Sequence, residues 1–218
     1  MKYFVFSIDD GTVFDKKVLQ IFNKFHFKAT FNLNSGMDDY VWYDEGREVR
    51  RFILKDVADL YKGHEIASHS LTHPHISTIP DKYVYLEAYE DICNLEEIFI
   101  TKVTTFAFPF EDYDERCINI IKRVKNISVI RISELDGSFK IPADPYHVRI
   151  TSWDIDDALE RIEEFQKDDE AELFIFVAHA YDFEFANSYD KLEKLCSILK
   201  KDKNIKVIPM GEIRELIK

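Results

Sequence analysis

Adjacent aspartates at 9 and 10, histidines at 69 and 73, and a histidine at 179 are the residues whose types and placement suit hydrolytic chemistry. Each group directly follows a short apolar run. Asp9 and Asp10 follow Tyr3 to Ile8, His69 and His73 follow Glu65 to Ser68, and His179 closely follows Leu173 to Val177. Carboxylates and imidazoles gathered from distant stretches are the ingredients of a divalent-metal site that activates water. Singly, each signal is weak. The Asp-Asp pair occurs four times in the chain, mostly as solvated turn, and a chance His pair at i, i+4 is expected in roughly one such sequence in five. Their shared position at the ends of apolar runs carries the argument.

Those runs alternate with amphipathic segments. Tyr3 to Ile8, Ala29 to Leu33, Glu65 to Ser68, Thr104 to Phe108, Ile127 to Ile132, Leu173 to Val177 and Ile205 to Ile208 read as strands. Between them, helical spacing places helices at Val18 to Phe25, Val57 to Tyr61, Tyr83 to Phe99, Arg116 to Val124, Ala158 to Phe165 and Leu192 to Leu199, with a closing helix at Glu212 to Ile217. About seven β-α units with strands apolar on both faces predict a parallel sheet. No G-x-G-x-x-G turn follows a strand, which favours a barrel over an open dinucleotide-binding sheet. At 218 residues the chain falls short of the roughly 250 of an eight-fold barrel. The expectation is an α/β fold, a distorted seven-stranded (β/α) barrel forming one domain over 1–218. Segments 36–51 and 134–157 break the alternation and are expected as loops over one mouth. In such barrels the strand ends at the C-terminal edge build the active site.

Composition bounds the partners. A charge of −12 argues against nucleic acid or an anionic membrane surface. No apolar run approaches the roughly 20 residues of a membrane span. The chain enters a strand pattern at once, without a leader pattern, so a cytoplasmic location is expected. Cys93, Cys117 and Cys196 are odd in number and widely spaced, hence free thiols.

The motifs resemble the polysaccharide deacetylase family, the NodB-homology domain of carbohydrate esterase family 4. S-I-D-D-G (7–11) stands where the family has T-F-D-D-G, and G-H-E-I-A-S-H-S-L-T-H-P (63–74) is similar to its G-H-E-I-G-N-H-T-x-S-H-P. K-A-T-F-N-L (28–33) is similar to the strand between them, F-A-F-P-F (106–110) to a proline-aromatic motif, and V-A-H (177–179) to L-x-H. The motifs keep family order over about residues 3–182. The resemblance implies that Asp10, His69 and His73 hold one divalent metal. Zinc is the leading ion, with cobalt, nickel, manganese or iron as alternatives. It further implies Asp9 as general base, His179 as general acid and the backbone N–H of Phe110, after Pro109, as oxyanion donor. The two histidines are expected on one side of a helical turn.

Some positions depart from the family pattern. Ala107 stands at the family's usual arginine, so Asp9 lacks its cationic partner and is expected to be held by backbone N–H groups, a lysine or a neighbouring side chain. Glu111 replaces a glycine. Trp153 and Asp154 are the nearest match to an Asp-Trp motif, while Asp182 offers a hydrogen bond near His179. His64 reads as structural, His75 as exposed or pocket-lining, and His26 and His147 receive no role.

The expected function is removal of N-acetyl groups from an amino sugar or small oligosaccharide. Hydrolysis of a non-sugar amide or an O-acetyl ester, or a non-catalytic carbohydrate-binding homologue, stand as alternatives. Trp42, Tyr43, Tyr146 and Trp153 are candidate walls of a short cleft. The residues leave the oligomeric state open.

Overall fold

The computed structural model describes residues 1–110 and 112–217. Its strands are β1 (Lys2–Asp9), β2 (Thr30–Leu33), β3 (Val41–Asp44), β4 (Arg47–Arg50), β5 (Glu65–Ser68), β6 (Thr105–Ala107), β7 (Val129–Leu135), β8 (Val148–Ile150), β9 (Leu173–His179) and β10 (Ile205–Val207). Its helices are α1 (Asp15–Phe25), α2 (Leu54–Val57), α3 (Asp81–Phe99), α4 (Glu115–Ile121), α5 (Ile155–Lys167), α6 (Ala180–Phe185), α7 (Tyr189–Lys201) and α8 (Ile213–Leu216). No helix among the described residues is long and apolar enough to cross a membrane.

Seven parallel strands curl in the order β9–β1–β2–β5–β6–β7–β8. The curl stays open between β8 and β9, where an isolated bridge joins Ser152 to Phe176. The count of seven matches the expectation, but one member differs. The predicted strand near Ile205 pairs with Lys2–Phe4 and shares one edge of β1 with β2, because β9 covers Tyr3–Asp9. The seventh ring strand is β8, three residues inside the stretch expected as a loop. The other expected loop holds the antiparallel hairpin β3–β4. Both were hidden by brevity, since three or four residues carry almost no periodicity.

Alternation along each strand divides the core in two. On β1, Phe4, Phe6 and Ile8 join the outer layer with Val18, Leu19 and Phe22 of α1 and Leu192 of α7. Val5 belongs to an inner cluster with Val129, Val148, Ile150, Leu173, Ile175 and Val177. The same two-residue step places Asp9 on the inner face at the C-terminal end. Opposite the apolar inner wall, Thr30 Oγ1 and Thr105 Oγ1 both donate to the Glu65 carboxylate, at 2.6 and 2.7 Å. The Glu65 carboxylate is thus hydrogen-bonded on both oxygens, the condition for burying such a group at acceptable cost.

Helix starts and stops follow local chemistry. Asp114 caps α4 by accepting from Cys117 N, and Asp154 caps α5 by accepting from Asp156 N and Asp157 N. Asp154, weighed above as part of an Asp-Trp motif, is therefore a helix cap. The three cysteines are free, Cys117 and Cys196 being buried.

Candidate functional site

The C-terminal ends of β1, β5 and β9 open into one cavity of about 880 Å³, lined by Asp9, Asp10, His69, His73, Phe110 and His179 among others. Asp10, His69 and His73 each direct a donor atom to a common region, all within 4.8 Å of one another. His73 Nε2 lies 3.4 Å and His69 Nε2 4.0 Å from Asp10 Oδ1. The expected helical turn between the histidines is absent. Residues 69 to 73 form an irregular loop in which Ser70 and His73 have φ of 68° and 54°, and that loop swings both rings toward Asp10.

The protonation states suit a cation. His69 is 2 % exposed, and burial holds its pKa well below the ordinary value, with the neighbouring His73 adding to the effect. Its Nδ1 sits 2.8 Å from the carbonyl of Ala107, which leaves Nε2 free to face the cavity. Burial also lowers the pKa of His73. Burial alone would raise that of Asp10, but Arg51, His179, His73 and His69 outweigh it and lower the pKa. An ionised carboxylate and two neutral imidazoles are a fitting donor set for a divalent metal.

Asp9 stands beside this set, 5 % exposed. Its Oδ1 accepts from Asn32 Nδ2 at 2.6 Å and its Oδ2 from Arg131 Nη2 at 2.8 Å. Asp9 therefore has an arginine partner after all, contrary to the expectation drawn from Ala107. The guanidinium arrives from the next strand, where Arg131 is in register with Ala107. A methyl-sized side chain beside it leaves room for the longer one. A charged residue in the middle of V-I-R-I was the available signal, since a buried arginine needs a buried counter-charge. Asn32 and Asn34 were visible only as polar interruptions at the end of β2. Arg51 gives no signal in the sequence, because it directly follows the four-residue strand β4, too short to show a period.

His179 closes β9 and starts α6. Asp182 Oδ2 accepts from its backbone N at 3.0 Å and lies 3.1 Å from its Nδ1. Burial opposes the charged imidazole, but the Asp182 hydrogen bond and the charges of Asp10, Asp182 and Asp9 push its pKa up to about 9. Its Nε2 lies 3.9 Å from Asp10 Oδ2, and its ring stacks on Tyr181 at 4.9 Å.

Phe110, at φ 55°, lines the cavity with its ring against His73 and stacked on His75 at 4.3 Å. Pro109 is buried and does not line the cavity among the described residues. Glu111 lies outside the described residues. Trp42 and Trp153 line the cavity, joined by Tyr40 and Tyr181. Tyr43 is 69 % exposed and Tyr146 packs on the core, so neither forms a wall as expected. His64 is structural, accepting from Ala29 N at 3.2 Å, and His147 lies between Asp144 and Glu115.

A curled, open seven-stranded parallel sheet with an Asp-His-His metal-binding set at its C-terminal rim is consistent with the catalytic centre of a carbohydrate esterase family 4 deacetylase. The family model described as polysaccharide deacetylase matches residues 1–126, and the chain belongs to that family. Among solved structures it is similar to a putative polysaccharide deacetylase from Mycobacterium smegmatis, at 13% identity and TM-score 0.72, covering 99% of this chain and 89% of that one. A family 4 acetyl xylan esterase from Clostridium thermocellum, in complex with a cobalt ion, matches at 15% identity and TM-score 0.67, with 99% and 91% covered. A CE4 family pseudoenzyme from Bacillus anthracis matches at 18% identity and TM-score 0.65, with 98% and 65% covered. Curated protein sequences gave no match.

Proposed function

We propose that the protein hydrolyses the N-acetyl group of an amino sugar or short oligosaccharide, with one zinc ion held by Asp10, His69 and His73. The observation that carries this reading is the meeting of that donor set with Asp9 and His179 in one aromatic-walled cavity. Zinc suits a mixed imidazole and carboxylate set, and cobalt, nickel, manganese and iron are its competitors there. Bound there, a divalent ion would polarise the acyl oxygen and ease deprotonation of water at neutral pH.

The chain's own residues supply the rest. Asp9, fixed by Arg131 and Asn32, is the base that accepts a proton from the attacking water. His179, kept protonated by Asp182 and the acidic pair, donates to the departing amine. The Phe110 N–H, on an exposed left-handed corner of the cavity lining, would donate to the charge that develops on the acyl oxygen. Trp42 and Trp153 offer flat apolar faces to a sugar ring.

Acetate release from a panel of N-acetylated chito-oligosaccharides and O-acetylated xylo-oligosaccharides tests the substrate class. The expected result is release from the N-acetyl series, with a rate that levels off after the first few sugar units. Release from the O-acetyl series alone would replace this reading with an esterase. Asp9→Ala and His179→Ala should each cut turnover by roughly 10²–10⁴-fold.

A further inference from the structure

Two buried polar side chains have no part in the chemistry just proposed, yet both touch the residues that carry it. Arg51 is 5 % exposed and Asn34 2 %. Arg51 Nη2 donates to Asp10 Oδ1 at 2.8 Å, and its Nη1 donates to the Asp10 backbone carbonyl. The same Nη1 donates to Asn34 Oδ1. From its other side, Asn34 Nδ2 donates to the carbonyls of His69 and Ser70, the latter at 2.7 Å. Ser70 Oγ in turn accepts from His73 N at 3.1 Å.

A continuous run of hydrogen bonds therefore links the turn bearing Asp10 to the loop bearing His69 and His73. Both stretches need such a tie. Asp10, Ser70 and His73 all have left-handed backbone, at φ 82°, 68° and 54°, a region that side-chain-bearing residues leave unless something holds them. Arg51 is itself anchored. Its N–H donates to Tyr40 O at 2.9 Å, Phe52 N donates to Gly11 O at 3.0 Å, and a bridge pairs it with Thr12. A carboxylate oxygen has two lone pairs, so Asp10 Oδ1 can accept from Arg51 and still face the histidines.

We infer that Arg51 and Asn34 are positioning residues that set the spacing of the metal donors Asp10, His69 and His73, an inference that rests on the metal reading above. The residue types are demanding. Only the planar fork of arginine reaches the carboxylate, the carbonyl and the amide together, and lysine keeps the charge without the fork. Only an amide can accept from Arg51 while donating to the two carbonyls.

The test measures zinc affinity by competition with a chromophoric chelator, on the folded full-length chain after metal stripping. Arg51→Lys and Asn34→Ala should each weaken zinc binding by roughly 10–100-fold, the usual effect of removing a residue that orients metal ligands. The double variant should lose little more than the weaker-binding single variant, because both break one connection. Arg47→Ala, on the adjoining strand β4 but bonded to the Phe185 carbonyl, should bind zinc as the unaltered chain does. Should Arg51→Lys fail to fold, Asn34→Ala carries the test through its smaller zinc-induced rise in melting temperature. Folded variants that bind zinc within about twofold of the unaltered chain would overturn the inference. So would losses that multiply in the double variant. An unaltered chain that binds no divalent metal instead overturns the proposed function, before any variant is compared.

Discussion

At the residue scale the point of most interest is Arg131. Its guanidinium is almost wholly buried and pairs with Asp9 at 2.8 Å, side chains 1 % and 8 % exposed. Removing one partner of such a pair strands the other charge in a poorly solvated interior. Arg131→Ala should therefore lower kcat by roughly 10²-fold while KM changes little, because the lost contact orients the base rather than the substrate. Returning a guanidinium from the neighbouring strand, as Arg131→Ala with Ala107→Arg, should restore much of the turnover, since the two positions are in register. Steady-state kinetics on a short N-acetylated oligosaccharide reads both variants. No gain from the second substitution would detach Arg131 from the base. The candidate residues at strand ends were legible because chemistry-bearing types there stand out against apolar runs. Their supports were not, because Asn32, Asn34, Arg51 and Arg131 act through partners about 20 to 120 positions away. Linear spacing holds no record of such pairs.

At the element scale, long periodic segments were legible and short ones were not. The amphipathic runs of α1, α5 and α7 announce themselves, whereas β8 and the β3–β4 hairpin are too short to do so. The hairpin matters most, since it brings Trp42 to the cavity and leads into Arg51. Asp154 shows how an element resolves an ambiguous residue. Beside Trp153 it has the look of a site residue, yet its carboxylate accepts from two N–H groups at the start of α5. Asp154→Ala should cost about 1 kcal/mol of stability by urea unfolding, with kcat unchanged. A large kcat loss at unchanged stability would return Asp154 to the site.

At the scale of the whole molecule, a buried carboxyl outside the metal-donor set links stability to pH. Asp91 on α3 is fully buried, where it accepts from Ser68 Oγ and Ser35 N. Burial pushes its pKa up to about 7, against the pull of those hydrogen bonds. The folded chain thus keeps this proton when the unfolded chain, with an ordinary value of 3.8, has lost it. The resulting stabilisation is complete below about pH 4 and is lost as pH rises through about 7. Asp91→Asn should flatten the fall in unfolding free energy between pH 5 and 7, measured in urea at each pH. An unchanged slope would mean that Asp91 is ionised in the fold. The strands on either side of the open seam and the aromatic hairpin all reach the cavity, through Ile150, Val177 and Trp42.

The central claim is that this pocket works through one metal ion, and a zinc titration of the stripped protein tests it most directly. Acetate release from an N-acetylated chito-oligosaccharide should be absent after chelation, rise with added zinc and level off at one ion per chain, and His73→Ala should abolish that recovery. Acetate release that persists in the stripped protein, or a recovery that His73→Ala leaves intact, would contradict the account.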